Sequence, residues 1–129
     1  MIDHEDAIFD EVATLLRANF EGIHIIGREI TDTPPSFPAV SIIQSDNTIN
    51  GKYSTFESKE NVAIESYKFE IVSNLEKGEK EAQCKAIAGM INSIMVDTHA
   101  YTRTFNQPVP SADTSLARRV LRYTQNISI

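Results

Sequence analysis

Two segments of this chain carry their apolar side chains on one face of a helix, and this feature constrains the fold more than any other. The first segment places apolar residues at helical spacing, namely Ile8, Val12, Leu15 and Leu16. The second repeats the pattern with Ile87, Met90, Ile91, Ile94 and Met95. A helix with a single apolar stripe has to bury that stripe against another layer. The chain therefore needs a surface that two helices can cover.

Local signals predict where the helices begin and how they pack. Asp3 is a candidate N-cap for the first helix, and Gly22 is a candidate stop signal. In the second helix, Cys84 extends the apolar stripe by one turn, so we expect it to fill the core. Gly89 costs roughly 1 kcal/mol relative to alanine inside a helix. We therefore expect close packing against the sheet at that position.

Further segments have the composition of β-strands and supply the surface that the helices need. They are "GIHIIGREIT", "AVSIIQS", "VAIESYKFEIVSNL", "AYTRTFNQ" and "SLARRVLRYTQNISI". Runs of strands without crossover helices favour antiparallel pairing. The predicted order is α-β-β-β-α-β-β, an α+β fold in which two helices cover a mainly antiparallel sheet. We expect the 129 residues to form a single domain.

The third strand segment changes phase along its length. Val62 and Ile64 share one face, whereas Tyr67, Phe69 and Ile71 share the other. A bulge near Ser66 explains this change, and burial of the strand on both faces explains it equally well.

A long polar segment separates the second and third strands. Residues 47–61 lack a regular period, and connections longer than about 12–15 residues are uncommon in compact domains unless they are functional or disordered. The segment holds two aromatic residues among balanced charges, a mixture typical of interface anchors. We predict a hairpin arm that orders against a partner; the alternative is a surface insertion without a partner. The candidate contact residues are Lys52, Tyr53, Phe56, Glu57, Lys59 and Glu60.

Charge is distributed unevenly along the chain. Residues 1–35 carry eight acidic and two basic side chains, whereas residues 99–129 carry one acidic side chain and four arginines. The overall charge of −6 argues against direct nucleic-acid binding, which needs a dominant basic field. An acidic end and a basic end suit head-to-tail contact between copies. The alternative is that both charge sets are solvated surfaces.

The arginines of the last strand are the candidate basic partners in such a contact. Alternation sends Arg118 and Arg122 to one face with Val120, and it sends Arg119 to the other face. They are predicted to pair with carboxylates of a neighbouring subunit, for which Asp6 and Asp10 are candidates. Alternatively, the strand lies at a sheet edge and its charges prevent aggregation.

The sequence contains no recognisable catalytic or metal-binding motif. His4, His24 and His99 lie in separate elements without metal-ligand spacing, and the acidic cluster at Asp3–Asp6 fits helix capping. Phosphate-binding and nucleophile-elbow motifs do not occur. Apolar neighbours raise the pKa of a thiol such as Cys84 and make it unreactive. We expect neither enzymatic activity nor a cofactor or metal. No apolar run approaches the ~20 residues of a membrane span, and the acidic N-terminus is unlike a signal peptide.

Several strings resemble one family when they are taken together. They are "FPAVSI", the polar arm, "YKFEIVSNLEKGEKEAQCKAIAGMI" and "YTRTFNQPVPSADTSLARRVLRYT". They are similar to tail-terminator proteins of long-tailed phages and prophages of Gram-positive bacteria. These are also called tail-completion or tail-to-head joining proteins, and sometimes minor capsid proteins. The resemblance runs from about Phe37 to Thr124 and is sharpest in the pattern "YTRTF…PVP…ARRVLRY".

The resemblance implies a structural role in the virion. Such proteins have a sheet covered by helices and a long hairpin arm, and they form a hexameric ring that stops polymerisation of the tail tube and meets the head connector. It implies that Asn47–Asn61 reaches a neighbouring subunit or the tube, and that the Arg118–Arg122 strand lies in or near an inter-subunit sheet. The expected partners are further copies of the chain, the tail-tube protein and a head-completion protein. The expected location is the head–tail junction, after assembly in the host cytoplasm.

Three alternatives stay open at this point. The chain is another phage neck or head-completion component, or it is a small α+β ligand-binding or regulatory module. The third is an enzyme whose site uses Asp3, His4, His24 or His99.

Overall fold

The computed structural model describes residues 4–30, 34–49, 62–74, 79–110 and 115–128. The elements in chain order are α1 (Glu5–Asn19), β1 (His24–Ile26), β2 (Ala39–Ile49), β3 (Val62–Ser73), α2 (Glu79–Asn92), a π-helical segment (Ser93–Thr98), β4 (Thr102–Val109) and β5 (Ala117–Ser128). The α+β class, the two helices and the mainly antiparallel sheet are as predicted. The order differs in one detail, because the π-helical segment follows α2.

The strands form one five-stranded mixed sheet in the order β1-β2-β3-β5-β4. β1 runs parallel to β2, and the other neighbouring pairs are antiparallel. β5 lies between β3 and β4, so the interpretation of β5 as an edge strand is wrong. The edges are the three-residue β1 and the more exposed β4.

Both helices contribute their apolar stripes to one core on the same face of the sheet, called here the helix face. Buried side chains of α1 and α2 meet apolar side chains of β2, β3 and β5 there, including Val12, Ile87, Val40, Phe69 and Leu121. Edge-to-face aromatic pairs extend this core, with ring centroids 5.6 Å apart for Tyr67 and Tyr101 and 5.7 Å apart for Phe69 and Tyr123. Cys84 is buried, which confirms its predicted role as core filler.

Two of the local predictions for the helices are corrected. His4 is the N-cap of α1 and makes no capping hydrogen bond with its side chain, while Asp3 lies outside the described residues. Gly22 follows the helix with a φ of 73°, a left-handed conformation that suits glycine at a helix stop. Gly89 is exposed, and a Cβ atom placed there would meet nothing within 4 Å. The expected close packing at Gly89 is therefore wrong.

The phase change predicted for β3 has a different cause. β3 pairs with β5 without interruption from Val62 to Ser73, so the bulge near Ser66 is wrong; the register shift lies in β2, between Gln44 and Asp46. Every second residue of β3 from Ala63 to Ile71 is buried on the helix face. Glu65 is one of these residues, and 0% of its surface is exposed. Glu70 and Val72 are buried as well, so burial on both faces is confirmed for the second half of β3.

Candidate functional site

The arginines of β5 point as the alternation predicts, and two of them have partners within the subunit. On the face opposite the helices, called here the open face, Arg118 Nη1 lies 2.6 Å from Glu70 Oε1. On the helix face, Arg119 Nε donates a hydrogen bond to Asn106 Oδ1 at 2.7 Å. β5 pairs with both β3 and β4 along Arg118–Thr124, which leaves it no free edge for another subunit. Contact with a neighbour along this stretch can therefore occur only through side chains.

Arg122 differs from the other two arginines. It is exposed on the open face, and its guanidinium lies over the ring of Phe105, 5.9 Å from the centroid. Among the described residues, no carboxylate lies within ion-pair distance of Arg122. Lys68 lies directly opposite Arg122 in the β3–β5 register, and Ile43 lies opposite Lys68. We call Ile43, Lys68, Phe105 and Arg122 the Arg122 patch.

The predicted acidic partners lie in the other layer. Asp6 and Asp10 are exposed on α1, one helical turn apart, on the side that faces away from the core. The sheet lies between α1 and the open-face arginines Arg118 and Arg122, and neither aspartate forms an ion pair with a β5 arginine in the described part of the chain. Their predicted contact with a neighbouring subunit stays a prediction.

The predicted arm lies mostly outside the described residues. Lys52, Tyr53, Phe56, Glu57, Lys59 and Glu60 all fall in the segment 50–61. The structure describes the strands on either side of this segment. β2 and β3 have 11 and 12 residues, longer than the usual 5–6, and they stay paired up to Ile49 and Ala63.

A buried polar cluster around Glu65 was missed by the sequence analysis. The backbone N–H of His4 donates to Glu65 Oε1 at 3.1 Å, and Tyr101 Oη donates to Oε2 at 3.0 Å. His4 Nδ1 lies 3.2 Å from the same Oε2. Burial raises the pKa of Tyr101, and the Glu65 carboxylate raises it further. The cluster fixes the start of α1 to the N-terminal end of β3, the end that follows the predicted arm.

A cleft of about 300 Å³ opens beside this cluster. Its lining includes His4, Thr98, His99, Tyr101 and Gln125, so the fold brings together two histidines that are far apart in sequence. The π-helical segment ends there, and Ala100 takes a φ of 60° before the chain enters β4. The side chain of His99 contacts Glu11. No group of three or more side chains suited to hold a metal ion occurs in the described part of the chain.

A second cleft of about 290 Å³ lies between the start of α2, the C-terminal end of β4 and the N-terminal end of β5. Cys84, Arg118 and Arg119 contribute to its lining. Burial raises the pKa of the Cys84 thiol to about 11, so the thiol is protonated near neutral pH. This cysteine lacks the character of a nucleophile.

Comparisons with known proteins identify no family. No model of a known protein family matches the chain, and no curated protein matches its sequence. No helix in the described residues has the length and apolar character required to cross a membrane.

Proposed function

We propose that this protein is a structural subunit of a phage virion, that it forms a ring at the end of the tail, and that this ring stops growth of the tail tube. The resemblance of the β4–β5 region to tail terminators motivates the proposal. The two-layer α+β body, with helices on one face of the sheet only, is compatible with it. The partners are further copies of the chain, the tail-tube protein and a head-completion protein at the head–tail junction.

The observation that carries the proposal is the long β2–β3 hairpin. At about 3.3 Å per residue, the 11 residues of β2 span about 36 Å. β2 and β3 remain paired up to Ile49 and Ala63, where segment 50–61 connects them. Two strands that end side by side could be joined by a short turn, so a contact with a partner is the simplest reason for so long a polar connection. Tyr53 and Phe56 are the proposed anchors of this contact.

The proposed mechanism is geometric. Subunits that meet head to tail in a closed ring satisfy their lateral contacts among themselves and leave two unlike surfaces for two partners. One surface binds the last ring of the tube, and the other does not template a further tube subunit. Polymerisation then stops because the growing end is covered. This mechanism involves no catalytic group and no cofactor.

The arm can be tested by shortening the hairpin. Replacing residues 50–62 with Asn-Gly joins Ile49 to Ala63 through a two-residue turn that suits a β-hairpin. We expect a folded subunit that no longer caps tails, so that tails become overlong and lack heads in electron micrographs. A matched control keeps the length of the segment and its six candidate contact residues, exchanges only its uncharged polar residues among themselves, and should cap tails as the wild type does. Tails of normal length with attached heads in the shortened variant would contradict the assignment of the arm.

The cleft beside Glu65 favours a second candidate function, a small-ligand binding module. Its volume of about 300 Å³ lies at the lower end of the range for small-molecule sites. The two candidates predict different masses in solution. A ring subunit should form a larger particle at low micromolar concentration or when the tail-tube protein is added. The particle mass of a ligand-binding module should not increase on addition of the tail-tube protein.

A further inference from the structure

We infer that the Arg122 patch binds the acidic outer surface of α1 on a second copy of this chain. The inference rests on the proposed ring and specifies its lateral contact. It assigns Arg122 and Phe105 to one side of the contact, and Asp6 and Asp10 to the other.

The arrangement of charge in the patch is unfavourable in an isolated subunit. Lys68 and Arg122 lie directly opposite each other on neighbouring strands, and like charges at such positions destabilise a sheet. Glu29 approaches Lys68 at 3.4 Å and offsets one of the two charges. Glu70 pairs with Arg118, and Asp46, which lies on β2 opposite Ser66, forms no ion pair with Arg122. Within the patch, Arg122 is therefore the cation that has no described carboxylate within ion-pair distance.

The patch also exposes an aromatic ring. Phe105 is the one large hydrophobic side chain that is exposed in the described part of the chain, with 37% of its surface accessible. Arginine and aromatic side chains are the types that contribute most to protein–protein contacts. Phe105 and Arg122 lie opposite each other on β4 and β5, so they form one continuous surface.

The outer edge of β4 is a poor alternative for the contact. Pro108 lies in this strand, and the register with β5 shifts between Arg103 and Phe105. Proline and bulges in edge strands both discourage the addition of another strand. The proposed contact therefore uses the open face of the sheet and does not extend the sheet at β4.

The acidic surface of α1 is the complementary surface in the same molecule. Glu11 contacts His99, whereas Asp6 and Asp10 are exposed beside it. Because α1 and the Arg122 patch lie on opposite sides of the sheet, the two surfaces cannot meet within one subunit. They can meet between copies, and a contact between unlike surfaces is head to tail, the type that generates rings when the rotation closes.

A charge-exchange experiment on the full chain tests this contact. The variants are Arg122→Glu, Asp6→Lys combined with Asp10→Lys, and the combination of all three substitutions. Each reversal alone should weaken self-association about tenfold or more, since opposing charges at an interface become like charges. The combination should restore it to within about threefold of the wild type. Arg17→Glu reverses an exposed charge at the other end of α1 and serves as the control, with no change expected.

The readouts are sedimentation velocity of the protein alone and a photo-crosslinker placed at position 105 on assembled tails. Crosslinks to the first two turns of α1 on another copy support the inference. Unchanged association after Arg122→Glu, failure of the combined variant to recover, or crosslinks to the tail-tube protein would each overturn it. If any of these occurs while the wild type still caps tails, only the lateral contact is wrong. If the wild type neither self-associates nor caps tails, the proposed function fails as well.

Discussion

Charged side chains have partners within the subunit on the helix face, whereas the Arg122 patch of the open face leaves one cation without an ion-pair partner in the described part of the chain. On the helix face, Glu65 is wholly buried and accepts hydrogen bonds from His4 and Tyr101, and Arg119 bonds to Asn106. On the open face, Arg122 lies opposite Lys68 and over an exposed phenylalanine, without a carboxylate among the described residues. Charge on the helix face is therefore expected to stabilise the subunit, whereas the charge of Arg122 is expected to act in the proposed contact between copies. Substitutions on the two faces should therefore change different quantities.

The largest effect on stability is expected at Glu65. Glu65→Ala removes the carboxylate that accepts hydrogen bonds from the Tyr101 hydroxyl and the His4 backbone, and it opens a cavity, so the free energy of unfolding should fall by about 3 kcal/mol. Urea denaturation measures this change. Glu11→Ala, at an exposed carboxylate, is the matched control and should change stability by about 0.5 kcal/mol or less. A similar small loss for Glu65→Ala would mean that the two faces do not differ as described.

The next largest effect on stability is expected at Tyr101, whose hydroxyl bonds to a carboxylate, and it can be compared with that at Tyr123, whose hydroxyl bonds to an amide. Tyr101→Phe keeps the ring contact with Tyr67 but loses the donor to Glu65, and bonds to charged groups are worth more than neutral ones. We expect a loss of about 1.5 kcal/mol in the free energy of unfolding. Tyr123→Phe loses a bond to Asn92 Oδ1 and should cost about 1 kcal/mol. The reverse order would contradict the expectation that the bond to the Glu65 carboxylate is the stronger of the two.

Burial on the helix face should also be visible as a pH dependence. Burial raises the pKa of Cys84 from 9.0 in the unfolded chain to about 11 in the folded protein. Above pH 9 the thiol loses its proton more readily in the unfolded chain, so the stability that is fully present below pH 9 is lost as the pH rises towards 11. Relative to Cys84→Ala, the wild type should lose about 1 kcal/mol of unfolding free energy between pH 8 and pH 10. Parallel curves for the two proteins would show that the thiol is hydrated in the folded state.

The smallest effect on stability is expected at Arg122. Arg122→Ala removes an exposed side chain, so it should change the free energy of unfolding by about 0.5 kcal/mol or less. Phe105→Ser removes a ring of which 37% is accessible, so it should cost more, about 1 kcal/mol. Both should nevertheless weaken self-association, and more so at low salt for Arg122→Ala, because screening reduces the contribution of an exposed charge. A large loss of stability would assign Arg122 to the subunit rather than to its partner.

The sequence predicts well what short-range periodicity determines. The two apolar stripes locate both helices and the burial of Cys84, and strand alternation assigns Arg118, Arg119 and Arg122 to the correct faces. The position of β5 inside the sheet follows from pairing between distant segments, which no local pattern specifies.

The Glu65 cluster was missed for a different reason. Glutamate is usually found at the protein surface, and the partners of Glu65, His4 and Tyr101, are far away in sequence. The usable signal was its position, since Glu65 is in phase with Tyr67, Phe69 and Ile71. Treating it as buried would have removed the apparent phase change in β3.

The mass of the particle that the protein forms shows directly whether the subunit assembles with copies of itself. The protein should be measured by mass photometry and sedimentation velocity, alone and with purified tail-tube protein. We expect a particle of about 86 kDa, six times the subunit mass of 14.4 kDa, either free or at tube ends. A mass of 14.4 kDa under both conditions, with no protein bound at tube ends, would contradict the account.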